Sequence, residues 1–223
     1  MNQEVSDIFV RKWETRDGVV VPEPEDLGLA NDGVYLDATV LYADMSASTD
    51  LVDAYPAQFA AEVYKAFLHC AAKVIRAQDG EITAYDGDRI MAVFLGKVKN
   101  TAAIHAALSI NDCVRNIVNP SMESVYHKGY TLSHKVGIDT SKLLVARTGV
   151  RGANDLVWVG RAANYAAKLT GLDSKASTRI TKTVYDRCLD EARYAKGENM
   201  WYTITNSGPG GLTVYGSNYF WSV

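Results

Sequence analysis

The 223-residue sequence contains few cysteines and prolines and has no strong excess of charge of either sign. Its three cysteines, Cys70, Cys113 and Cys188, are far apart, and none forms the close pairs typical of zinc knuckles. Thiols without a disulfide framework are typical of a reducing compartment, so we expect a cytoplasmic protein. The 26 acidic and 23 basic residues give a net charge of −3, which argues against a surface for nucleic acid.

Long apolar runs are also missing. The longest ones, such as residues 90–95, are far too short to cross a bilayer, so we expect no membrane span. Residues 1–18 lack the apolar core of a signal peptide. With 48% hydrophobic and 10% aromatic residues, however, the chain has enough apolar surface to fold. The length suits one domain with additions.

The composition changes near residue 33. Residues 1–33 are predicted to form an N-terminal arm, in which 19–21 could be a short strand and 22–26 an extended acidic linker. Residues 34–223 are predicted to form the main domain. This part begins with an apolar run, 38–43, that ends at Asp44 and is typical of a buried central strand.

Helical and strand-like patterns alternate along the rest of the chain. Spacings of three and four residues between apolar side chains predict helices at 56–78, 101–118, 161–172 and 182–189. Alternation and turn residues predict strands at 81–85, 90–95, 130–139, 143–148, 155–159 and 179–180. The aromatic-rich residues 201–223 are predicted to hold a final strand pair around the turn Gly208-Pro209-Gly210-Gly211. Hairpins between helices indicate an α+β fold with one sheet covered by helices.

Two aspartates form the first candidate site. Asp44 ends the buried strand, and Asp88 lies in the turn of the predicted hairpin, next to Gly87. Two carboxylates near a backbone carbonyl would make an oxygen-rich site suited to Mg²⁺ or Mn²⁺. Taken singly, each aspartate is more often a turn or capping residue.

A second candidate site lies in the predicted helix after Gly160. Asn164 and Lys168 are four residues apart, so their side chains project from one face of that helix. On local grounds alone, an ordinary amphipathic helix with a solvated lysine is the better interpretation.

Four motifs taken together change these interpretations. Residues 42–45, 80–94, 136–139 and 159–164 occur in an order and spacing that resembles the catalytic domain of class III nucleotidyl cyclases, the adenylate and guanylate cyclase family. The resemblance extends from about residue 37 to about residue 189. It implies a ferredoxin-like, palm-type sheet covered by helices, in a homodimer.

The resemblance implies a role for each candidate residue. Asp44 and Asp88 match the aspartates that bind two divalent metal ions, Mg²⁺ or Mn²⁺, with the carbonyl of Met45 as a further ligand. The following loop matches the segment whose amides bind the triphosphate, and it comprises Ser46, Ala47, Ser48 and Thr49. Asn164 matches the asparagine that orients the ribose. Lys168 replaces the usual transition-state arginine, so the charge is kept but the two-pronged geometry is lost.

The same resemblance implies a shared site. In the family, one subunit supplies the metal aspartates and its partner supplies the asparagine and the cation. The expected assembly is a homodimer with two equivalent sites and an inactive monomer. The substrate is a nucleoside triphosphate, whose ribose 3′-hydroxyl attacks the α-phosphate in line and releases pyrophosphate.

The predicted base pocket departs from both purine patterns. Where adenylate cyclases have a lysine and guanylate cyclases a glutamate, this chain has Ala84, and the second purine-recognising position is Val157. The adjacent side chains of Tyr85, Arg89 and Trp158 could instead contact a smaller base near the ribose. The missing purine-recognising groups indicate a different base.

This pattern, in a chain without a sensor module, resembles the pyrimidine cyclases of bacterial Pycsar anti-phage systems. It implies conversion of UTP to 3′,5′-cyclic UMP and pyrophosphate, with the product acting on a separate effector. UTP is favoured over CTP because a donor such as Arg89 suits the carbonyl-rich edge of uracil. Three alternatives stay open: a cytidylate cyclase, an adenylate or guanylate cyclase that recognises its base through other residues, and a catalytically silent nucleotide-binding module.

Overall fold

The computed structural model describes residues 1–150 and 153–223. Its α-helices are α1 (Asn2–Val10), α2 (Ser48–Ala54), α3 (Ala57–Ala77), α4 (Lys99–Asp112), α5 (Asn119–Tyr126), α6 (Arg161–Thr170) and α7 (Lys182–Arg187). A π-helical stretch, Cys113–Val118, joins α4 to α5. Short 3-10 turns lie at Pro24–Asp26, Asp190–Ala192 and Pro209–Gly211.

The strands are β1 (Glu14–Asp17), β2 (Asp32–Met45), β3 (Glu81–Asp86), β4 (Arg89–Phe94), β5 (His134–Val150), β6 (Ala153–Val159), β7 (Thr178–Thr181), β8 (Tyr194–Ala195), β9 (Glu198–Asn199), β10 (Tyr202–Thr205) and β11 (Val214–Ser217). Nine of them form one sheet with the order β10-β11-β7-β5-β2-β4-β3, while β1 pairs with β2 and β6 pairs with β5. Among the described strands of this sheet, only the β1–β2 and β5–β7 pairs are parallel. This mixed sheet covered by helices confirms the predicted α+β class.

Each face of the sheet carries its own apolar core. Alternate residues of β2 point to opposite faces, so Leu41 packs towards α3 and α4, whereas Val40 packs towards α6. Tyr42 joins the core on the α6 face, and Asp44 follows it on the same face because the two residues are two positions apart. The polar end of β2 is therefore on the side of the sheet that α6 covers.

Close packing brings α6 against the sheet. Its buried face consists mainly of small side chains, those of Ala162, Ala163 and Ala166. Gly137 in β5 lies beneath this face, and a Cβ atom there would overlap the carbonyl oxygen of Ala166. Glycine at this position thus lets the helix backbone approach the strand backbone directly.

Strand β5 is continuous, although two strands, 130–139 and 143–148, were predicted. The polar residues Ser141 and Lys142 interrupt the apolar pattern, but they pair with Ala38 and Asp37 of β2. Ladder hydrogen bonds do not depend on side-chain polarity, so the long β2–β5 pairing carries the strand through the interruption.

The N-terminal region also differs from the prediction in detail. Residues 1–33 contain α1 and β1, and β1 joins the sheet beside β2. The predicted strand at 19–21 is wrong. All of β1 is exposed, so it had no hydrophobic pattern by which a strand could be recognised.

Two further regions contain helices that differ from the prediction. The predicted loop after Asp44 contains α2, and the predicted helix 101–118 consists of α4 and the π-helical stretch, which α5 then extends. Strands β10 and β11 pair antiparallel within residues 201–223, where the final strand pair was predicted. None of the helices described is long and apolar enough to cross a membrane.

Candidate active site

The predicted metal-binding residues meet at one end of the sheet. Gly87, in the left-handed region with φ of +60°, and Asp88 form the turn between β3 and β4. The backbone N–H of Met45 donates to the carbonyl oxygen of Asp88 at 3.4 Å. Asp44 lies opposite Arg89, the residue that follows Asp88. Strand pairing thus brings together Asp44, Met45 and Asp88, which are far apart in the chain.

The guanidinium group of Arg89 balances charge at this end of the sheet. Its Nη2 atom lies 3.2 Å from Oδ2 of Asp44, whose side chain is 17% exposed. The hydrogen bond to Asp44, and then the charges of Asp44, Asp86 and Asp88, raise the pKa of Arg89, while burial opposes them. Several carboxylates therefore create a negative potential where β2 ends and β4 begins.

The oxygen donors here fit a divalent cation. In the described part of the chain, no three His, Cys, Asp or Glu side chains are grouped as a metal site, so a cation at Asp44 and Asp88 needs backbone oxygens as well. The hydrogen bond from the Met45 amide to Asp88 brings the two backbone segments together. A pair of carboxylates with adjacent carbonyls is the donor set that Mg²⁺ and Mn²⁺ prefer.

Lys135 adds a cation that the sequence analysis missed. It lies directly opposite Asp44 in the β2–β5 ladder, and directly opposed residues project from the same face. Asp44 is consequently flanked by basic residues on both neighbouring strands. A lysine beside a strand carries no local functional signal, and only the register of the ladder places it here.

The predicted triphosphate loop leads into α2. Ala47 adopts a left-handed conformation with φ of 57°, and α2 begins at Ser48. The amide of Ser46 already donates to the carbonyl oxygen of Ser133 at 2.9 Å. The amides of the first helical turn have no partner within a helix, so those of Ser48 and Thr49 suit a phosphate better than that of Ser46.

Asn164 and Lys168 differ from the aspartates in their surroundings. Both are exposed on α6, while the opposite side of the helix is buried against the sheet. Among the residues that the structure describes, neither side chain makes a hydrogen bond or an ion pair. The helix therefore presents an amide and a cation at the surface of the chain.

The C-terminal end of α6 is held by a buried cation. Arg179 is fully buried and donates to the carbonyl oxygens of Leu169, Thr170 and Ser174 at 2.7–2.8 Å. Burial lowers the pKa of Arg179. A cation at this end also interacts favourably with the helix dipole.

The predicted base-pocket residues occupy two different places. Ala84 and Tyr85 are exposed on the edge strand β3. In β6, Trp158 lies opposite Val145 and packs against the core on the α6 face. Val157 lies opposite Ala146, so its exposed side chain points to the other face. Trp158 therefore shares a face with Asp44, and Val157 does not.

Comparison with known proteins identifies the family. The chain is 49% identical over 219 residues to a uridylate cyclase from Xanthomonas perforans, and this alignment covers 97% of this chain and 94% of that protein. It is 50% identical over 221 residues to a uridylate cyclase from Burkholderia cepacia, which covers 98% and 96% respectively. The chain belongs to the uridylate cyclase family.

The fold of this uridylate cyclase family member agrees with that assignment. The crystal structure of the guanylyl cyclase Cya2 superimposes with a TM-score of 0.70 at 18% identity, over 83% of this chain and 92% of that one. No protein-family model matches the chain. The resemblance to class III nucleotidyl cyclases is confirmed, in fold as well as in enzyme class.

Proposed function

We propose that this chain converts UTP to 3′,5′-cyclic UMP and pyrophosphate. The observation that carries the proposal is the nearly full-length similarity to relatives named uridylate cyclase, which spans both the aspartates and α6. The meeting of Asp44, Met45 and Asp88 at one end of the sheet supports it.

In this proposal, Asp44, Asp88 and the Met45 carbonyl hold two divalent cations, Mg²⁺ or Mn²⁺. When bound, these ions would lower the pKa of the ribose 3′-hydroxyl and neutralise charge on the phosphates. The loop at 46–49 and Lys135 bind the triphosphate. Asn164 orients the ribose, and Lys168 stabilises the charge that grows on the α-phosphoryl oxygens in the transition state.

The site is completed in a homodimer with two equivalent sites. The exposure of Asn164 and Lys168, without partners among the described residues, supports this arrangement, because their amide and cation are available to a nucleotide held by another subunit. The aspartate end needs an amide and a cation from elsewhere, because its own cations, Arg89 and Lys135, lie beside Asp44 on the neighbouring strands.

Arg89 supports uracil as the base. One of its nitrogens binds Asp44, and the side chain, which is 39% exposed, keeps further N–H donors. Such a donor favours a carbonyl acceptor, which uracil offers where cytosine has an amine. Trp158 supplies aromatic surface on the face of Asp44, and Ala84, opposite Met91 on that face, offers no group for a purine edge.

One competition experiment tests the substrate. The purified protein receives UTP, CTP, ATP and GTP at equal concentrations with Mn²⁺, and the products are identified by mass. Cyclic UMP is expected to exceed each other product about tenfold or more, or roughly 1.4 kcal/mol of transition-state discrimination. Dominant cyclic AMP or cyclic GMP would overturn the pyrimidine proposal, and dominant cyclic CMP would overturn the choice of uracil.

A variant pair tests the base contact in the same assay. Arg89→Gln is expected to lower the ratio of cyclic UMP to cyclic CMP. Arg16→Gln is the control, because Arg16 also pairs with a carboxylate, that of Asp32, but lies on β1. An unchanged ratio in Arg89→Gln would exclude a role for Arg89 in choosing the base.

The biological setting that we propose is anti-phage defence, in which cyclic UMP acts on a separate effector in the cytoplasm. The resemblance to pyrimidine cyclases of such systems supports it. The test is phage plating on bacteria that carry the gene with its neighbours, compared with the same cells carrying Asp44→Ala. Equal plaque numbers in both strains would contradict it.

A further inference from the structure

The first turn of α6 is tied to three consecutive residues of β5. Arg161 donates through Nε to Oδ2 of Asp139 at 3.0 Å and through Nη2 to the carbonyl oxygen of Thr140 at 2.6 Å. The backbone N–H of Ala162 donates to the hydroxyl of Ser141 at 2.9 Å. Gly160 at the N-cap has no side chain, so the strand supplies the cap that the helix lacks.

The carboxylate of Asp139 joins three elements. It is completely buried, and its second oxygen accepts a hydrogen bond from the hydroxyl of Thr181 in β7 at 2.5 Å. The same side chain thus links β5, β7 and α6. A buried carboxylate is costly unless its oxygens are satisfied, so the geometry of this group is narrowly defined.

Between its two ends, α6 packs against the sheet less directionally, and the bonds of Arg179 hold only backbone carbonyl oxygens at its C-terminal end. There the helix meets the sheet mainly through Ala162, Ala163, Ala166 and Leu169 and through the backbone at Gly137, and small side chains offer few ridges that would resist rotation or sliding. The Arg161 bonds and the Ser141 cap are directional contacts at the start of the helix. They are therefore suited to fix the rotation of α6 about its axis and its position along the sheet.

Arg161 lies on the helix face that carries the predicted catalytic pair. Asn164 and Lys168 follow it by three and seven residues, which places the three side chains along one stripe. A small rotation at Arg161 would move both groups together. The two residues contact no other part of the described chain by hydrogen bond, so α6 alone determines where they point.

We propose that Asp139 and Arg161 are positioning residues that set the orientation of α6 and so place Asn164 and Lys168 against the nucleotide. The inference rests on the proposed function, because it assigns the purpose of the anchor to that site. It assigns no contact with substrate to either anchor residue.

Kinetics of anchor variants test the inference. Arg161→Lys keeps the charge but cannot make both bonds, and Arg161→Gln loses the charge as well. Each is expected to lower kcat for UTP between about 10- and 100-fold while KM changes less than about threefold, because misplacement by about 1 Å acts mainly on the transition state. Asp139 is tested by Thr181→Val, which removes one of its hydrogen bonds while keeping the buried carboxylate, and which is expected to lower kcat less than the Arg161 variants do.

Arg16→Gln is the matched control. Arg16 makes the same two kinds of bond as Arg161, one to the carboxylate of Asp32 at 2.7 Å and one to the carbonyl oxygen of Asp26 at 3.2 Å. It lies on β1 and belongs to no part of the proposed site. Loss of the more exposed Arg16 network is expected to leave kcat unchanged, with thermal unfolding followed for all variants.

Subunit mixing separates positioning from general damage. Arg161→Gln subunits mixed with Asp44→Ala subunits should regain activity, since each mixed dimer then has one site built from intact halves. Mixed with Lys168→Ala subunits, they should not. The anchor variant would thereby behave like a lesion in the α6 half alone.

The outcomes distinguish the inference from the function beneath it. A wild-type kcat in folded Arg161→Gln would overturn the positioning role and leave the cyclase proposal intact. The same holds if the variant shows only a higher KM and a lower stability. Failure of the wild-type protein to form any cyclic nucleotide would instead overturn the proposed function. Recovery of Arg161→Gln by both partner variants would also contradict the inference.

Discussion

The two halves of the proposed site treat charge in opposite ways. At the end of β2, Asp44 is largely buried and is paired with Arg89 of the same chain. On α6, Asn164 and Lys168 are exposed, and no partner for them lies in the described residues. The aspartate half therefore balances much of its charge within the chain. On the helix half, the amide of Asn164 and the ammonium group of Lys168 are available to a molecule outside the chain. Two copies of the chain related by a twofold axis would supply both needs at once.

The supports beneath the two halves also differ. Under the aspartate half, His134 lies opposite Met45 in the ladder and is buried near the ring of Phe67, with no partner found for its Nε2 in the structure as described. Under α6, the anchors are the charged side chains of Asp139, Arg161 and Arg179. The packing of the buried His134 thus lies under the aspartate half, whereas hydrogen bonds of charged side chains hold α6.

The largest expected effect comes from breaking the aspartate half. Asp44→Ala or Asp88→Ala should lower cyclic UMP formation more than about 10³-fold, because each removes a metal ligand that stabilises charge in the transition state. The measurement is product mass with Mn²⁺ present, alongside light scattering for the dimer. Asp86→Ala, which removes a neighbouring carboxylate that also acts on Arg89, is the control and should keep most of the activity. Substantial turnover by Asp44→Ala would contradict the metal assignment.

Mixing subunits that carry a lesion in opposite halves of the site gives a smaller effect, which tests whether the site is shared between two chains. Asp44→Ala and Lys168→Ala are each expected to be nearly inactive alone. After subunit exchange at equal concentrations, half of the dimers are mixed and each has one intact site, so about a quarter of the wild-type activity should return. Activity is measured before and after exchange, with exchange itself followed by differently tagged chains. No recovery after complete exchange would show that each chain builds its own site.

The smallest expected effect concerns the neutral support under the aspartate half. Burial lowers the pKa of His134 to about 4, from an unfolded value of 6.5. Between these values the unfolded chain binds a proton that the folded chain does not, so stability is lost as the pH falls from 6.5 towards 4. The loss attributable to this residue should be about 3 kcal/mol.

Urea unfolding of His134→Leu across this pH range checks that value. The variant lacks the titrating group, so its stability should fall less steeply with acidification than that of the wild type. His69→Leu, which removes an exposed histidine from α3, is the matched control variant. Equal slopes for wild type and His134→Leu would contradict the assignment of this pH dependence to His134.

Much of the architecture follows from local sequence patterns. The apolar run before Asp44 predicts a buried strand, and β2 covers it. The turn at Gly87 and Asp88 predicts the β3–β4 hairpin, because glycine readily adopts the positive φ that this turn requires. The helical spacing of Asn164 and Lys168 places them on one face of α6. Each of these features depends on residues close together in the chain.

Only the tertiary structure decides which of these residues meet. Lys135 flanks Asp44 through the register of β2 and β5, and a shift of one residue would turn it to the other face. Asp139 reaches Arg161 across 22 residues and Thr181 across 42. Nothing in the local pattern distinguishes such an aspartate from an ordinary strand residue. Register and helix rotation are set by the packing of the whole sheet, and for that reason the sequence determined the elements and the chemical groups, whereas the fold determined their partners.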